Sequence, residues 1–150
     1  MSSEDASRVL LDTSFILPTL GIDTGERVSE GLNRLGKTGA EIYYSRFSIL
    51  EALWVAAKVS GDGKFDTERF RLGLRSIMES GRYIKVDEDL EMFDEAMRLH
   101  MLGHRDIIDN IIYASSIRLN LKLLTLDAEL GEFIRKRGLK DTLIAPNQIP

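Results

Sequence analysis

The 150-residue chain contains no cysteine. Disulfide frameworks, thiolate metal sites and thiol nucleophiles are therefore excluded together. Histidine occurs twice, at His100 and His104, too few for a multi-histidine zinc site. Long hydrophobic runs are missing as well, and nothing approaches the roughly 20 apolar residues of a membrane span. Met1 to Ser7 is polar and acidic, the opposite of a signal peptide. The expectation is a cytoplasmic protein with no membrane association. Residues 1–7 would form a flexible N-terminus to one domain over residues 8–150. There is no internal repeat, no phosphate-cradling glycine loop and no G-x-S-x-G nucleophile elbow. An excess of base is also lacking: 24 acids stand against 20 Lys and Arg, a formal charge of −4. That balance excludes nucleic-acid binding by bulk positive charge, though not by a local site. Any chemistry must come from carboxylates, hydroxyls, lysines or a bound cofactor.

What is present is the composition of an ordinary globule, 43% hydrophobic and 29% charged, in a chain long enough to hold a core alone. Val9-Leu10-Leu11 is a continuous apolar run that suits a strand buried on both faces. Further strands are expected at Ile42 to Tyr44, Tyr83 to Val86, Leu121 to Leu126 and Leu143-Ile144. Helical patterns fall between them. A short helix is expected from Thr13 or Ser14 to Leu20, and an amphipathic one from Gly25 to Lys37. Ser45 would cap a long helix to Val59, and Asp66 or Thr67 the helix carrying Phe70, Leu74 and Ile77. Asp87 would cap Glu88 to Leu102, and helices at Asp106 to Leu119 and Ala128 to Arg137 complete the series. Strands alternating with helices predict a three-layer α/β domain with a mainly parallel central sheet flanked by helices. Ligand sites in such sheets lie beyond the carboxyl ends of the strands.

Most of the acids read as solvated helix faces or caps. Glu88, Asp89, Glu91, Asp94 and Glu95 are assigned to the outer face of one helix. Four acids stand in apolar surroundings instead. Asp12 ends the first strand. Glu51 lies within Phe47-Ser48-Ile49-Leu50-Glu51-Ala52-Leu53-Trp54, mid-helix. Asp109 lies within Ile107-Ile108-Asp109-Asn110-Ile111-Ile112, and Asp127 follows Leu123-Leu124-Thr125-Leu126. The two helices are apolar nearly all round, which marks buried helices, with Phe47 and Trp54 in the core. An unpaired carboxylate in such a place costs several kcal/mol, on the order of the penalty for any buried charge, unless a cation meets it. Arg46, Arg105, Arg118 and Lys122 are the bases near these acids in sequence, and a divalent ion is the simpler partner. Asp106 stands one helical turn before Asp109 on the same side. Asp12, Asp106 and Asp127 are equally readable as helix caps, whereas Glu51 is not. Hard oxygen ligands suit Mg²⁺ or Mn²⁺.

The segment Val9-Leu10-Leu11-Asp12-Thr13-Ser14-Phe15-Ile16-Leu17 resembles the opening strand and turn of the PIN-domain nucleases. Ser48-Ile49-Leu50-Glu51-Ala52 is similar to the family's helix bearing its second acid. Asp109-Asn110-Ile111-Ile112-Tyr113-Ala114-Ser115-Ser116, followed by Leu123-Leu124-Thr125-Leu126-Asp127, resembles its most distinctive block. The likeness runs from Val9 to about Ile144, and in size the chain resembles VapC-type toxins and related stand-alone PIN proteins.

The resemblance implies a PIN-like fold and an Mg²⁺- or Mn²⁺-dependent endoribonuclease. Asp12, Glu51, Asp109 and Asp127 would be its metal-binding acids, and Asp106 the fifth that some members carry. It further implies that Thr13, Ser14, Asn110 and Thr125 order waters or phosphate. A homodimer and a VapB-like antitoxin are the partners expected by kinship. Arg46 and Arg105 are candidates to meet RNA phosphate, and Arg135-Lys136-Arg137 reads as either RNA contact or helix-dipole compensation. His104, in a loop, is open to phosphate contact or to plain exposure. Phe65, Phe70, Leu72, Leu74, Ile77 and Met78 suit a dimer or antitoxin surface in part. The alternative is a non-catalytic PIN-like RNA- or protein-binding module. Other acid-edge α/β families fit less well: Asp12 is followed by Thr13-Ser14 rather than a second Asp two residues on, and no acid ends the strand at Tyr44. Without Asp12, Glu51, Asp109 and Asp127, acids and bases balance, so the surplus belongs to one expected site.

Overall fold

A computed structural model describes residues 8–150. The expected flexible start, residues 1–7, lies outside the described residues. Among these residues five strands form one sheet: β1 (Arg8–Leu11), β2 (Glu41–Tyr44), β3 (Tyr83–Lys85), β4 (Lys122–Leu124) and β5 (Leu143–Ile144). Their order is β3-β2-β1-β4-β5, and every pairing is parallel. Among the described residues six α-helices surround it: α1 (Glu26–Gly36), α2 (Arg46–Val59), α3 (Thr67–Glu79), α4 (Leu90–Met101), α5 (Ile107–Arg118) and α6 (Ala128–Arg137). The three-layer α/β arrangement expected from the alternation is the one observed.

The pleat of β1 explains the layers. Val9 and Leu11 turn to one face, where they join Val28 and Leu35 of α1, Ala52 of α2 and Ile77 of α3. Leu10 turns to the other, among Met92 and Leu99 of α4, Ile112 and Tyr113 of α5, and Leu130 and Ile134 of α6. Each large apolar side chain so buried contributes about 1.5–3 kcal/mol before entropy is counted. The chain leaves β1 in one direction to reach β2 and later returns on its other side as β4. The reversal of strand order therefore lies between β1 and β4, and the crevice it opens is at their carboxyl ends. No helix among the described residues is long and apolar enough to cross a membrane.

Several local expectations are corrected. The expected helix over residues 13–20 is two 3₁₀ turns, Thr13–Phe15 and Leu17–Leu20, the second carrying Pro18 near its start and closed by Gly21 at φ 86°. The cap of α4 is Asp89, whose Oδ1 accepts the Met92 N–H at 3.0 Å, not Asp87. The Val86 N–H still bonds to the Tyr44 carbonyl, which keeps the backbone extended past β3 and delays the helix. Glu88 is not on a solvated face: its side chain is fully buried against the start of α2. One carboxylate oxygen accepts from Ser45 Oγ at 2.9 Å and the other faces Arg46 Nε at 3.1 Å.

The helix α5 is buried all round from Asn110 to Ser116, as its composition implied. The helix α2 is not. Only Ser48, Ala52 and Ala56 are buried, while Leu50, Leu53 and Trp54 face outward, Trp54 at 54% exposure. Trp54 is thus a surface residue rather than core. Phe47 is half-buried and meets Phe93 of α4 edge-on at 5.7 Å. From the apolar set expected on α3, Ile77 is buried, Phe70 and Leu74 are half-buried, and Leu72 and Met78 remain exposed.

Candidate active site

Asp12 stands one residue beyond β1, and its N–H donates to the Leu124 carbonyl at 3.1 Å, extending the β1–β4 ladder. Its carboxylate accepts the Thr13 N–H at 2.7 Å and the Thr125 hydroxyl at 2.7 Å. The same Thr125 hydroxyl accepts the Asp127 N–H at 3.0 Å. One side chain thus ties together the acids that follow the two central strands. Asp127 also caps α6, accepting the Leu130 N–H at 3.1 Å, and Asp106 caps α5, accepting the Asp109 N–H at 3.0 Å. For Asp12 and Asp127 the capping role and the site are therefore one geometry: beginning the turn or helix after each strand at an acid places that acid beyond the strand's carboxyl end.

Carboxylate oxygens of Glu51, Asp106 and Asp109 lie within 4.8 Å of one another. Asp12 and Asp127 complete the ring electrostatically. The Asp109 carboxyl is pushed up to about 8, first by burial and then by the charges of Asp12, Asp106, Asp127 and Glu51. Asp12 is raised too. Burial dominates there, outweighs the hydrogen bonds from Thr125 and Thr13, and is reinforced by Glu51 and Asp127. All five acids share one field, and among the described residues none of them takes part in an ion pair. The bases near them in sequence are engaged or distant. Arg118 pairs with Asp89 at 2.9 Å, Arg46 with Glu88, and Lys122 opens β4 at the far end of the strand from Asp127. Arg105 is exposed beside Asp106.

The cluster offers hard oxygen donors whose mutual repulsion a divalent cation would relieve. Two hydroxyls close in sequence to these acids, Thr13 Oγ1 and Ser48 Oγ, are buried without hydrogen-bond partners among the described residues. Buried donors left unmatched fit a site that takes up an ion with its waters. Ser48 escaped the sequence reading. Its signal was a hydroxyl in an apolar segment, one helical turn before Glu51. Ser14 is half-buried, and its carbonyl accepts the Thr24 hydroxyl at 2.8 Å.

Asn110 requires correction as a substrate contact. It is fully buried, and its amide donates to the carbonyls of His104 at 2.7 Å and Ala96 at 3.3 Å. Its oxygen meets His104 Nδ1 at 2.6 Å. His104 is likewise interior, its ring against Phe133 at 5.2 Å, rather than exposed in a loop. This pair fixes the α4–α5 connection that delivers Asp106 and Asp109. In the basic run, Lys136 pairs with Glu132 at 3.1 Å, and Arg137 donates to the Leu102 carbonyl at 2.6 Å.

A family model for the PIN domain matches residues 9–136. The chain belongs to the PIN domain family. That match covers every one of the five acids. Several solved structures resemble this one over nearly their whole length. A toxin-antitoxin complex from Klebsiella pneumoniae aligns with a TM-score of 0.59 and 17% identity, over 92% of this chain and 97% of that one. VapBC2 from Rickettsia felis, bound to a DNA fragment from its promoter, aligns at 0.60 and 18%, over 91% and 97%. FitAcB from Neisseria gonorrhoeae aligns at 0.58 and 19%, over 93% and 99%. At these identities the likeness is one of PIN fold. No curated protein sequence matches the chain.

Proposed function

We propose that this PIN domain is a divalent-metal-dependent endoribonuclease, and the toxin of a toxin–antitoxin pair. The observation that carries the reading is the ring of five unpaired acids around Asp109, at the carboxyl ends of β1 and β4. Glu51, Asp106 and Asp109 would hold an Mg²⁺ or Mn²⁺ ion, with Asp12 and Asp127 facing it. When bound, such an ion lowers the pKa of a water and offsets charge on a phosphate. The protein's own groups would do the rest. Thr125 fixes the orientation of Asp12 and the backbone of Asp127. Glu51, which caps no helix, would complete the ligand shell or orient an attacking water. Thr13 and Ser48 would offer unmatched hydroxyls to bound water, Ser14 follows Thr13 in the chain, and the exposed Arg105, next to Asp106, would meet phosphate. No covalent intermediate is needed.

The structural neighbours that carry antitoxins support a VapB-like partner, and the outward apolar residues of α2 and α4 support self-association. The decisive experiment incubates the purified protein with structured and single-stranded RNAs in Mg²⁺, Mn²⁺ or EDTA, beside Asp12→Asn and Asp109→Asn. Metal-dependent cleavage lost in both variants is expected. Cleavage surviving EDTA and both substitutions would sink the mechanism, and metal binding without cleavage of any nucleic acid would favour the non-catalytic binding module.

A further inference from the structure

The chain between β3 and α4 carries two adjacent acids that face different helices. Asp89 caps α4 and pairs with Arg118 at the end of α5. Glu88 meets the first turn of α2 instead, with its side chain fully buried. Its Oε2 accepts the Ser45 hydroxyl at 2.9 Å, and its Oε1 faces Arg46 Nε at 3.1 Å. The same Ser45 oxygen accepts the Phe47 N–H at 3.1 Å, so one hydroxyl links the charge of Glu88 to the positive end of the helix. The Arg46 guanidinium also lies over the Phe47 ring at 5.4 Å, and that ring meets Phe93 of α4. Helix α2 has little else to fix it. The residues it buries fully, Ser48, Ala52 and Ala56, are all small, and its larger apolar residues are half-buried or exposed. Little apolar area therefore resists a slide or roll of the helix. Yet Glu51 has to bring an oxygen within 4.8 Å of Asp106 and Asp109, at the start of another helix. A slide of one residue moves a side chain about 1.5 Å along the axis and about 100° around it. A misplacement of about 1 Å is enough to cost on the order of 100-fold in rate.

We propose that Glu88 is a positioning residue for the acid cluster: acting through Ser45 and Arg46, it fixes the start of α2 and with it the reach of Glu51 toward Asp109. The inference rests on the reading of the cluster as a metal-dependent nuclease site. Glu88 is not itself a ligand, since its carboxylate is spent on Ser45 and Arg46. A buried carboxylate adds little stability, because lost hydration offsets the attraction to its partners; what it imposes here is a single geometry. An apolar residue of similar volume at position 88 would fill the space and leave α2 without its tie.

The test titrates Mn²⁺ into wild-type, Glu88→Leu and Glu88→Gln proteins, following free Mn²⁺ by electron paramagnetic resonance, and measures kcat and KM on an RNA that the wild type cleaves. Glu88→Leu should weaken Mn²⁺ binding about 10-fold and lower kcat about 10- to 100-fold, with KM little changed. Glu88→Gln, whose amide oxygen can still accept from Ser45, should recover part of both losses. Glu88→Leu combined with Ser45→Ala should lose no more than the stronger single change, because the two residues act in one chain. Gly73→Ala, which disturbs α3 against Thr19 and Leu20, should keep wild-type Mn²⁺ affinity and kcat. Unchanged Mn²⁺ affinity and kcat in folded Glu88→Leu would overturn the inference, as would losses that Gly73→Ala reproduces. If Glu88→Leu does not fold, Glu88→Gln and the surface change Arg46→Ala decide the matter: each should weaken Mn²⁺ binding, and unchanged affinity in both would overturn the inference. Mn²⁺ binding without cleavage leaves the affinity measurements to decide in the same way. A wild-type protein that neither binds Mn²⁺ nor cleaves RNA would overturn the nuclease reading itself, and the role of Glu88 with it.

Discussion

Asp109 has the hardest position in the chain. Its carboxyl, pushed up to about 8, is protonated in the folded protein over a pH range where the unfolded chain has already lost the proton at its ordinary value of 3.8. Between those values the folded state holds more protons, so this group makes stability fall as pH rises from about 4 to about 8. Metal-free protein should therefore melt at lower temperature at pH 8 than at pH 6, and Asp109→Asn should flatten that dependence. The same substitution should raise the metal-free melting temperature by ~2–4 °C, the shift expected for 1 kcal/mol in a chain of this size. Thermal melts in EDTA across that pH range check both, and a wild-type melting point rising with pH would contradict them. Thr125→Val should cost about 1–3 kcal/mol, since it removes one hydroxyl serving two partners, and should weaken metal binding as Asp12 loses its tether; denaturant titration and metal titration read the two effects separately. At this scale the sequence was informative where an acid interrupts an apolar run, as at Asp12 and Asp109. Glu51 was singled out from a mistaken premise: its apolar neighbours Leu50, Leu53 and Trp54 face outward, and only the approach of α5 brings it to Asp109. Asn110 was misplaced because its amide is consumed by carbonyls fourteen and six residues earlier, which no local pattern shows.

Among the elements, α3 meets the 3₁₀ turn Leu17–Leu20 through Gly73, where a β-carbon would run into the Thr19 carbonyl oxygen and come within 2.9 Å of Leu20 Cα. Gly73→Ala is expected to destabilise by about 1–3 kcal/mol despite the higher helix propensity of alanine, because backbone cannot yield as a side chain can. Chemical denaturation measures this, and a stabilised variant would show that the two elements are not held so close. Helix positions were legible from apolar spacing and caps, since Ser45, Asp66, Asp106 and Asp127 each accept an N–H from the helix that follows. The start of α4 was not, because Asp87 and Asp89, two residues apart, offer equivalent caps. The choice falls on Asp89 because Glu88 must reach inward to Ser45 and Arg46. Helix α2 was misjudged for a related reason: an all-apolar helix reads as interior whether a core or a partner will cover it.

For the molecule as a whole, the exposed apolar residues are concentrated on two helices. Leu50, Leu53 and Trp54 on α2, and Leu90, Phe93, Met97 and Met101 on α4, are bridged by the Phe47–Phe93 contact. If they mediate self-association, Trp54→Glu together with Met97→Glu should convert a dimer into a monomer by light scattering while leaving the circular dichroism spectrum intact. A wild-type protein already monomeric would remove the dimer. Saturating Mn²⁺ should raise the wild-type melting temperature by about 5 °C or more, as preferential binding to the folded state requires. The three layers and the parallel sheet were readable from the alternation of strand and helix patterns, but the strand order was not, since pairing between distant segments leaves no periodic trace. That order has a consequence in time. Asp12 leaves the ribosome well ahead of its partners: its N–H bonds to Leu124 and its carboxylate to Thr125, more than a hundred residues later. At roughly 5–20 residues per second, several seconds separate the synthesis of the two halves of the site. A nascent chain short of β4 holds Asp12 without Asp127 or the hydroxyl that orders them. If this protein cuts RNA, the cell that makes it is exposed to the activity only once β4, Thr125 and Asp127 have been made.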